Sequence, residues 1–101
     1  MKNKIFTYPA IVKEDEEEGY EIYIPDFNEY TYSDTKEESY YMGTELLELI
    51  LVEYFAKHIM SQIPKPSDIH FNDLKDDEIL IYVSTSKESV KNLMKKYKKR
   101  K

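Results

Sequence analysis

Cysteine is absent from this chain of 101 residues, which removes disulfides, thiolate nucleophiles and cysteine-ligated metals together. A reducing compartment fits that usage. Only two glycines are present, Gly19 and Gly43, so no glycine-rich loop exists to cradle a phosphate. The two histidines, His58 and His70, stand apart, one in a helical run and one in a connecting segment, which suits surface or helix-flanking groups rather than a metal pair. Asp73, Asp76 and Asp77 lack the glycine and the closing glutamate of a calcium loop and read as a polar turn. Long hydrophobic runs are missing as well. The apolar stretch from Leu46 to Phe55 is broken by Glu48 and Glu53 and does not suit a bilayer. Met1-Lys2-Asn3-Lys4 leads into a short apolar run stopped by Pro9, unlike a secretory signal. No catalytic residue, metal or cofactor is expected. A soluble protein of the cytoplasm, with no membrane partner, is.

What is present suits a single core. With 41% hydrophobic residues, a chain of this length buries about 60–65% of its unfolded surface. Charge is segregated. Seven of the last eleven residues are basic (Lys91, Lys95, Lys96, Lys98, Lys99, Arg100 and Lys101), and none is acidic. The other ninety residues set eight basic side chains against all 20 acidic ones, a balance of −12. An acidic body thus carries a basic tail. Acid density peaks at Glu14-Asp15-Glu16-Glu17-Glu18. That run reads either as a solvated hairpin loop protecting strand edges or as a surface that steers a basic partner.

Periodicity gives the elements. Residues 4–13 read as a strand with Phe6, Tyr8, Ala10 and Val12 on one face, and Pro9 marks an edge, a bulge or a strand end. Tyr20, Ile22 and Ile24 alternate in a returning strand that Pro25-Asp26 stops. Residues 29–33 form a short third strand. Thr35 and Glu38 have capping-box spacing, so a long helix is expected over residues 36–62, roughly 40 Å if unbroken. Residues 63–78 are a proline-containing connection. Ile79 to Val83 is a continuous apolar run that reads as a well-buried strand. Thr85 and Glu88 repeat the cap spacing, and Val90, Leu93, Met94 and Tyr97 mark a short amphipathic helix. The expected class is α+β, with a small antiparallel-rich sheet in the order β-β-β-α-β, one long helix and a short C-terminal helix.

The long helix carries more apolar surface than one sheet can cover. Gly43, Leu46, Leu47, Ile50 and Tyr54 form a stripe toward a sheet, while Leu49, Leu51, Val52, Phe55 and Ile59 lie outside it. Uncovered apolar area of this kind marks an interface. A homodimer or larger assembly through Leu49, Val52, Phe55 and Ile59, with the tail helix contributing, is one reading. The other is that residues 63–78 and the tail fold back over the helix.

Ten tyrosines are the other unusual feature. Tyr23 alternates opposite Ile22 and Ile24 and points outward, and Tyr30 and Tyr32 share a face. Amphipathic rings on an exposed sheet suit protein recognition. They also suit simple strand propensity, while base stacking fits poorly with an acidic body.

Taken in order, Tyr8-Pro9-Ala10, Gly19-Tyr20, Pro25-Asp26-Phe27, Thr31, Asp34-Thr35, Glu37-Glu38 and Pro64-Lys65-Pro66-Ser67 give a chain that resembles the HicB-like antitoxins of bacterial HicA–HicB toxin–antitoxin pairs. The likeness covers roughly residues 5–69. The family usually has Pro-Gly-Cys where Asn28-Glu29-Tyr30 stands, Gly in place of Ser33 and Ala in place of Ser39. Without that glycine, the turn either avoids a glycine-only backbone conformation or relies on Asn28 to adopt it. The resemblance implies a partial ribonuclease-H-like fold, an antitoxin domain over residues 1–84 and a basic helical tail over 85–101. It also implies a HicA-like mRNA-cleaving toxin as partner, neutralised by occlusion of its active site. With such a partner, the acidic run and the outward rings make Glu16, Glu17, Glu18, Tyr23, Tyr30 and Tyr32 the candidate toxin contacts.

Family members often carry a C-terminal DNA-binding module, but the residues from Ile79 onward hold one strand and one helix, too few for a complete module. Lys95, Lys96, Lys98, Lys99, Arg100 and Lys101 are left as candidate phosphate contacts for weak binding to operon DNA. They also suit a solubilising terminus. A nucleic-acid-binding or hydrolysing ribonuclease-H-like domain is the alternative function. Asp26 in a turn, Asp34 before a helix and Glu21 on a strand form no evident metal-binding carboxylate set, and residues 5–12 contain no acid. A non-enzymatic relative is the expectation.

Overall fold

The alternation in the first strand holds except at Pro9, which is buried as well. In the computed structural model, which describes residues 4–99, β1 (Ile5–Asp15) turns Phe6, Tyr8, Ala10 and Val12 inward, and all four are buried. It is followed by β2 (Gly19–Ile24), β3 (Glu29–Ser33), α1 (Ser39–Ala56), β4 (Glu78–Ser86) and α2 (Lys87–Lys99). The strands form one antiparallel sheet in the order β3-β2-β1-β4. Ile22 and Ile24 of β2, Leu47 and Leu51 of α1, Val83 of β4 and Val90 of α2 close the same core. A single sheet face is therefore covered by helix. Residue 84, the expected domain boundary, falls inside β4, and Val90 beyond it belongs to the common core.

Four departures from expectation have local causes. The first is the start of α1, at Ser39 rather than residue 36. Thr35 Oγ1 accepts the Glu38 N–H at 3.3 Å, but this closes a turn ahead of the helix, and Glu38 makes no side-chain cap. The second is its end, at Ala56 rather than near residue 62. His58 adopts a left-handed backbone, φ 58°. The Ile59 N–H reaches Tyr54 O at 3.0 Å and the His58 N–H reaches Phe55 O at 3.1 Å. That pair of bonds is a Schellman stop, a place glycine usually takes.

Third, β4 is an edge strand and not a well-buried one. Ile79 is 39% exposed and Tyr82 50%, because β4 has a partner only in β1 and helix on only one face. Fourth, Thr85 does not cap α2. It lies buried and donates its hydroxyl to Glu48 Oε2 of α1 at 2.6 Å. Ser86 caps instead, its Oγ accepting the Ser89 N–H at 3.0 Å.

The buried row of α1 is Ser39, Gly43, Leu47, Leu51 and Phe55, an i, i+4 ridge that crosses the sheet obliquely. The expected stripe is corrected accordingly. Leu51 and Phe55 belong to the core, while Leu46, Ile50 and Tyr54 pack at its margin. Gly43 is required by the closeness of that crossing, since a Cβ there would meet Val83 Cγ1 at 2.8 Å and Ile22 Cγ2 at 3.2 Å. Pro9 sits mid-strand opposite Tyr82, beyond the β1–β2 pairing that stops at Ile11 and Tyr23. The strand end it marks is that of β2.

The connection between α1 and β4 is tied to the sheet twice. Tyr8 donates its hydroxyl to Pro64 O at 2.6 Å, and burial raises the Tyr8 pKa, with the charge of Asp26 adding to it. Farther along, Ser67 gives its N–H to Asp26 Oδ2 at 3.0 Å and its hydroxyl to Asp26 Oδ1.

Candidate functional site

The sheet face turned away from the helices is aromatic. Strand register lines up Tyr30, Tyr23, Ile11 and Leu80 across all four strands, and Tyr32, Glu21, Lys13 and Glu78 in a second row. Tyr30 is 55% exposed and meets Tyr32 edge to face, ring centroids 5.8 Å apart. Tyr23 is held from below. Its hydroxyl donates to Asn28 Oδ1 at 2.8 Å, and Asn28 takes the left-handed backbone, φ 55°, that the turn after Pro25-Asp26 demands.

The acidic turn joins this face at one end. Asp15 Oδ1 accepts the N–H groups of Glu17 at 2.9 Å and Glu18 at 3.0 Å, and these bonds hold the Asp15 carboxyl below the usual range. Gly19 follows with φ 94°, where a Cβ would meet Ser33 O at 2.4 Å. Glu16, Glu17 and Glu18 are exposed. The Tyr32 pKa is raised by desolvation and then by Glu21, Tyr30, Asp15 and Glu18 in turn. Turn and tyrosines are therefore electrostatic neighbours. The acidic end is also larger than the run of five suggested, because Asp76 and Asp77 line one hollow with Glu14. In the sequence those two read only as turn residues.

Comparison with known proteins decides the family. The family described as HicB_like antitoxin of bacterial toxin-antitoxin system matches residues 7–90. This chain belongs to the HicB-like antitoxins. A solved toxin–antitoxin complex from Streptococcus pneumoniae is similar at 25% identity and a TM-score of 0.66, over 80% of this chain and 69% of that one. No curated protein matches.

The other expected residues of this HicB-like antitoxin are placed as follows. Leu49 is 41% exposed on α1, and Val52 and Ile59 are half-buried. Phe55 is 5% exposed and packs edge to face on Phe6 at 6.2 Å, in the core rather than beside Leu49 on the outer side of α1. Helix α2 packs on α1 within the same chain and covers part of its apolar surface. Lys95 and Lys96 are exposed on α2, whereas the side chains of Lys98 and Lys99, and all of Arg100 and Lys101, lie outside the described residues. Among the described residues no three His, Asp or Glu side chains gather in a group that could hold a metal ion. No helix among them is long and apolar enough to cross a membrane.

Proposed function

We propose that this antitoxin neutralises a HicA-like mRNA-cleaving toxin in the cytoplasm by covering its active site, using the acidic turn and the adjoining tyrosine face. One observation carries the reading. Glu16, Glu17 and Glu18 at the turn and Tyr23, Tyr30 and Tyr32 on the helix-free face meet in a continuous surface through Tyr32 and Glu21. An RNA-cleaving protein that grips phosphates presents basic groups around its active site. An exposed acidic rim accelerates encounter with such a surface, and amphipathic rings supply the buried contact that slows escape. Nothing in this role needs a nucleophile, a metal or a proton shuttle. The antitoxin acts by filling the place of the RNA.

The test is co-expression with a basic HicA-like toxin. Growth is rescued and the two proteins co-purify at moderate salt. The triple variant Tyr23→Ala, Tyr30→Ala, Tyr32→Ala loses both effects while remaining folded by circular dichroism. A triple variant that still rescues and co-purifies places the toxin elsewhere.

The tail supports a second, weaker activity. Lys95 and Lys96 stand exposed on α2, at the start of a basic run that can grip DNA phosphates without reading bases. Retention of operon DNA that falls steeply between low and physiological salt, and vanishes when residues 95–101 are removed, is the expected result.

A further inference from the structure

At the end of β1 away from the acidic turn, the connection that follows α1 stands off the sheet and leaves an apolar cleft of about 290 Å³. Its floor is the edge of the core, where Phe6 and Phe55 meet edge to face, and Met60 and Ile63 form a wall. A gap between apolar surfaces ordinarily closes. This one is propped open. Tyr8 donates its hydroxyl to Pro64 O at 2.6 Å, and a little farther along Ser67 is held by both oxygens of Asp26. Between these two tethers, Pro64 and Pro66 fix their own φ angles, and Ile63 ahead of them is extended, φ −64° and ψ 123°. The wall is a stiff strut tied at both ends, and the cleft is preformed.

The chemistry of the lining is one-sided. Lys4, Lys65 and Lys87 line the cleft and no acid does, in a chain whose 20 acidic residues outnumber its 15 basic ones. The Lys4 ammonium lies 5.3 Å from the centre of the Phe6 ring, so one positive charge is held over the apolar floor. The neutral polar groups are already committed. The Tyr8 hydroxyl serves Pro64, Thr7 Oγ1 bonds Ser84 Oγ at 2.8 Å, and the Lys87 N–H is given to Lys4 O at 2.8 Å. Pro64 and Pro66 have no N–H to give. What remains for a visitor is apolar surface and ammonium groups. That pairing selects an apolar body with an anionic head, and it is the wrong charge for a basic toxin. A space of this volume holds about ten water-sized groups, the size of an octanoate ion.

We infer that this cleft binds a small amphipathic carboxylate, its apolar body laid on Phe6 and Phe55 and its head among the ammonium groups of Lys4, Lys65 and Lys87. The inference is independent of how toxin is bound, since the cleft shares no residue with the acidic turn or the tyrosine face.

Titration of the full chain with octanoate, followed by amide NMR, is the test. Saturable binding with a dissociation constant of about 0.1 mM is expected, a modest demand on a ligand of this size. Shifts gather at Phe6, Thr7, Phe55 and Ile63 and leave Glu17, Tyr23 and Tyr30 unmoved. Octanol, the same chain without the charge, binds about tenfold more weakly or worse, and the difference shrinks in high salt because exposed charges are screened. Met60→Glu puts a carboxylate in the wall at a side chain already 45% exposed. It removes octanoate binding and leaves the unfolding midpoint near that of the parent. Lys4→Gln combined with Lys65→Gln lowers octanoate to the affinity of the alcohol. A parent protein that shows no saturable shift overturns the proposal. So do shifts centred on the tyrosine face, octanoate affinity unchanged by the lysine substitutions, or octanol bound as tightly as octanoate, which would leave an apolar gap that does not recognise an anion.

Discussion

Ser67 delivers both its backbone N–H and its hydroxyl to the two oxygens of Asp26, 41 residues earlier in the chain. The Pro25-Asp26 turn and the Pro64-Lys65-Pro66-Ser67 segment, remote in sequence, are one clasp. It anchors the middle of the long connection to the end of β2. It also sits beside the Asn28 turn that steadies Tyr23.

Removing the clasp acceptor should loosen the connection before it harms the core. Asp26→Ala is expected to cost about 1–2 kcal/mol in urea unfolding, the scale of charge-assisted bonds at a partly exposed site. Amide exchange should accelerate at Ser67 and leave Val12 and Ile22 protected. Equal acceleration at all three would mean the clasp is integral to global stability.

His58 holds a left-handed conformation at the end of α1 without being glycine. A side chain there costs roughly 1–2 kcal/mol, part of which is returned by the smaller unfolded-state entropy of a non-glycine residue. His58→Gly is therefore expected to raise stability by about 0.5–1 kcal/mol in thermal or urea unfolding. Asn28→Gly relieves the same strain but deletes the acceptor of the Tyr23 hydroxyl, so it should gain less. A His58→Gly variant less stable than the parent would contradict this account of the helix end.

The Asp15 carboxyl is held low by the N–H groups of Glu17 and Glu18. The sign follows from linkage. A depressed folded pKa contributes stability that is fully present above the ordinary aspartate value of 3.8 and is lost as pH falls through the lower folded value. Asp15→Ala should therefore be less stable than the parent at neutral pH, with the gap narrowing in that acid window. Unfolding midpoints recorded between neutral and strongly acid pH give the comparison. A gap that stays constant with pH would remove the turn bonds as its cause.

Charge at the turn and rings on the sheet should separate kinetically. Neutralising Glu16, Glu17 and Glu18 to Gln is expected to slow association with the toxin and to change dissociation little. The difference should fade in high salt, since exposed charges are screened beyond about 8–10 Å at physiological ionic strength. Tyr30→Ala should act mainly on dissociation. Stopped-flow or surface-binding kinetics read both rates, and an unchanged on-rate in the glutamine variant would leave the acidic turn as a solubility device.

Most of the meander was legible from the sequence because each of its strands alternates cleanly, and Gly19, Pro25 and Asn28 punctuate it. The lack of a glycine there left two solutions for the turn, and the structure takes the one in which Asn28 adopts the left-handed backbone. The helix boundaries were not legible. Thr35 spends its hydroxyl on a preceding turn, and His58 stops α1 through a conformation that its side chain does not advertise. The apolar run of β4 promised burial on both faces, but strand order, which local pattern does not encode, put it at an edge. Phe55 was misplaced for a related reason. Periodicity defines a stripe's width, while the oblique crossing over Gly43 chooses which i, i+4 ridge is buried. The tyrosine face followed from alternation alone. The full extent of the acidic end did not, since Asp76 and Asp77 reach Glu14 only through the folded connection.

The position of β1 between β2 and β4 has a consequence during synthesis. β1 pairs with β2 across a short turn, but its other edge is satisfied only by β4, with Ile5 opposite Ser86. Until β4 has left the ribosome, the central strand keeps an unpaired edge. Non-local pairings of this kind are slow to close and leave nascent chains prone to capture by other strands.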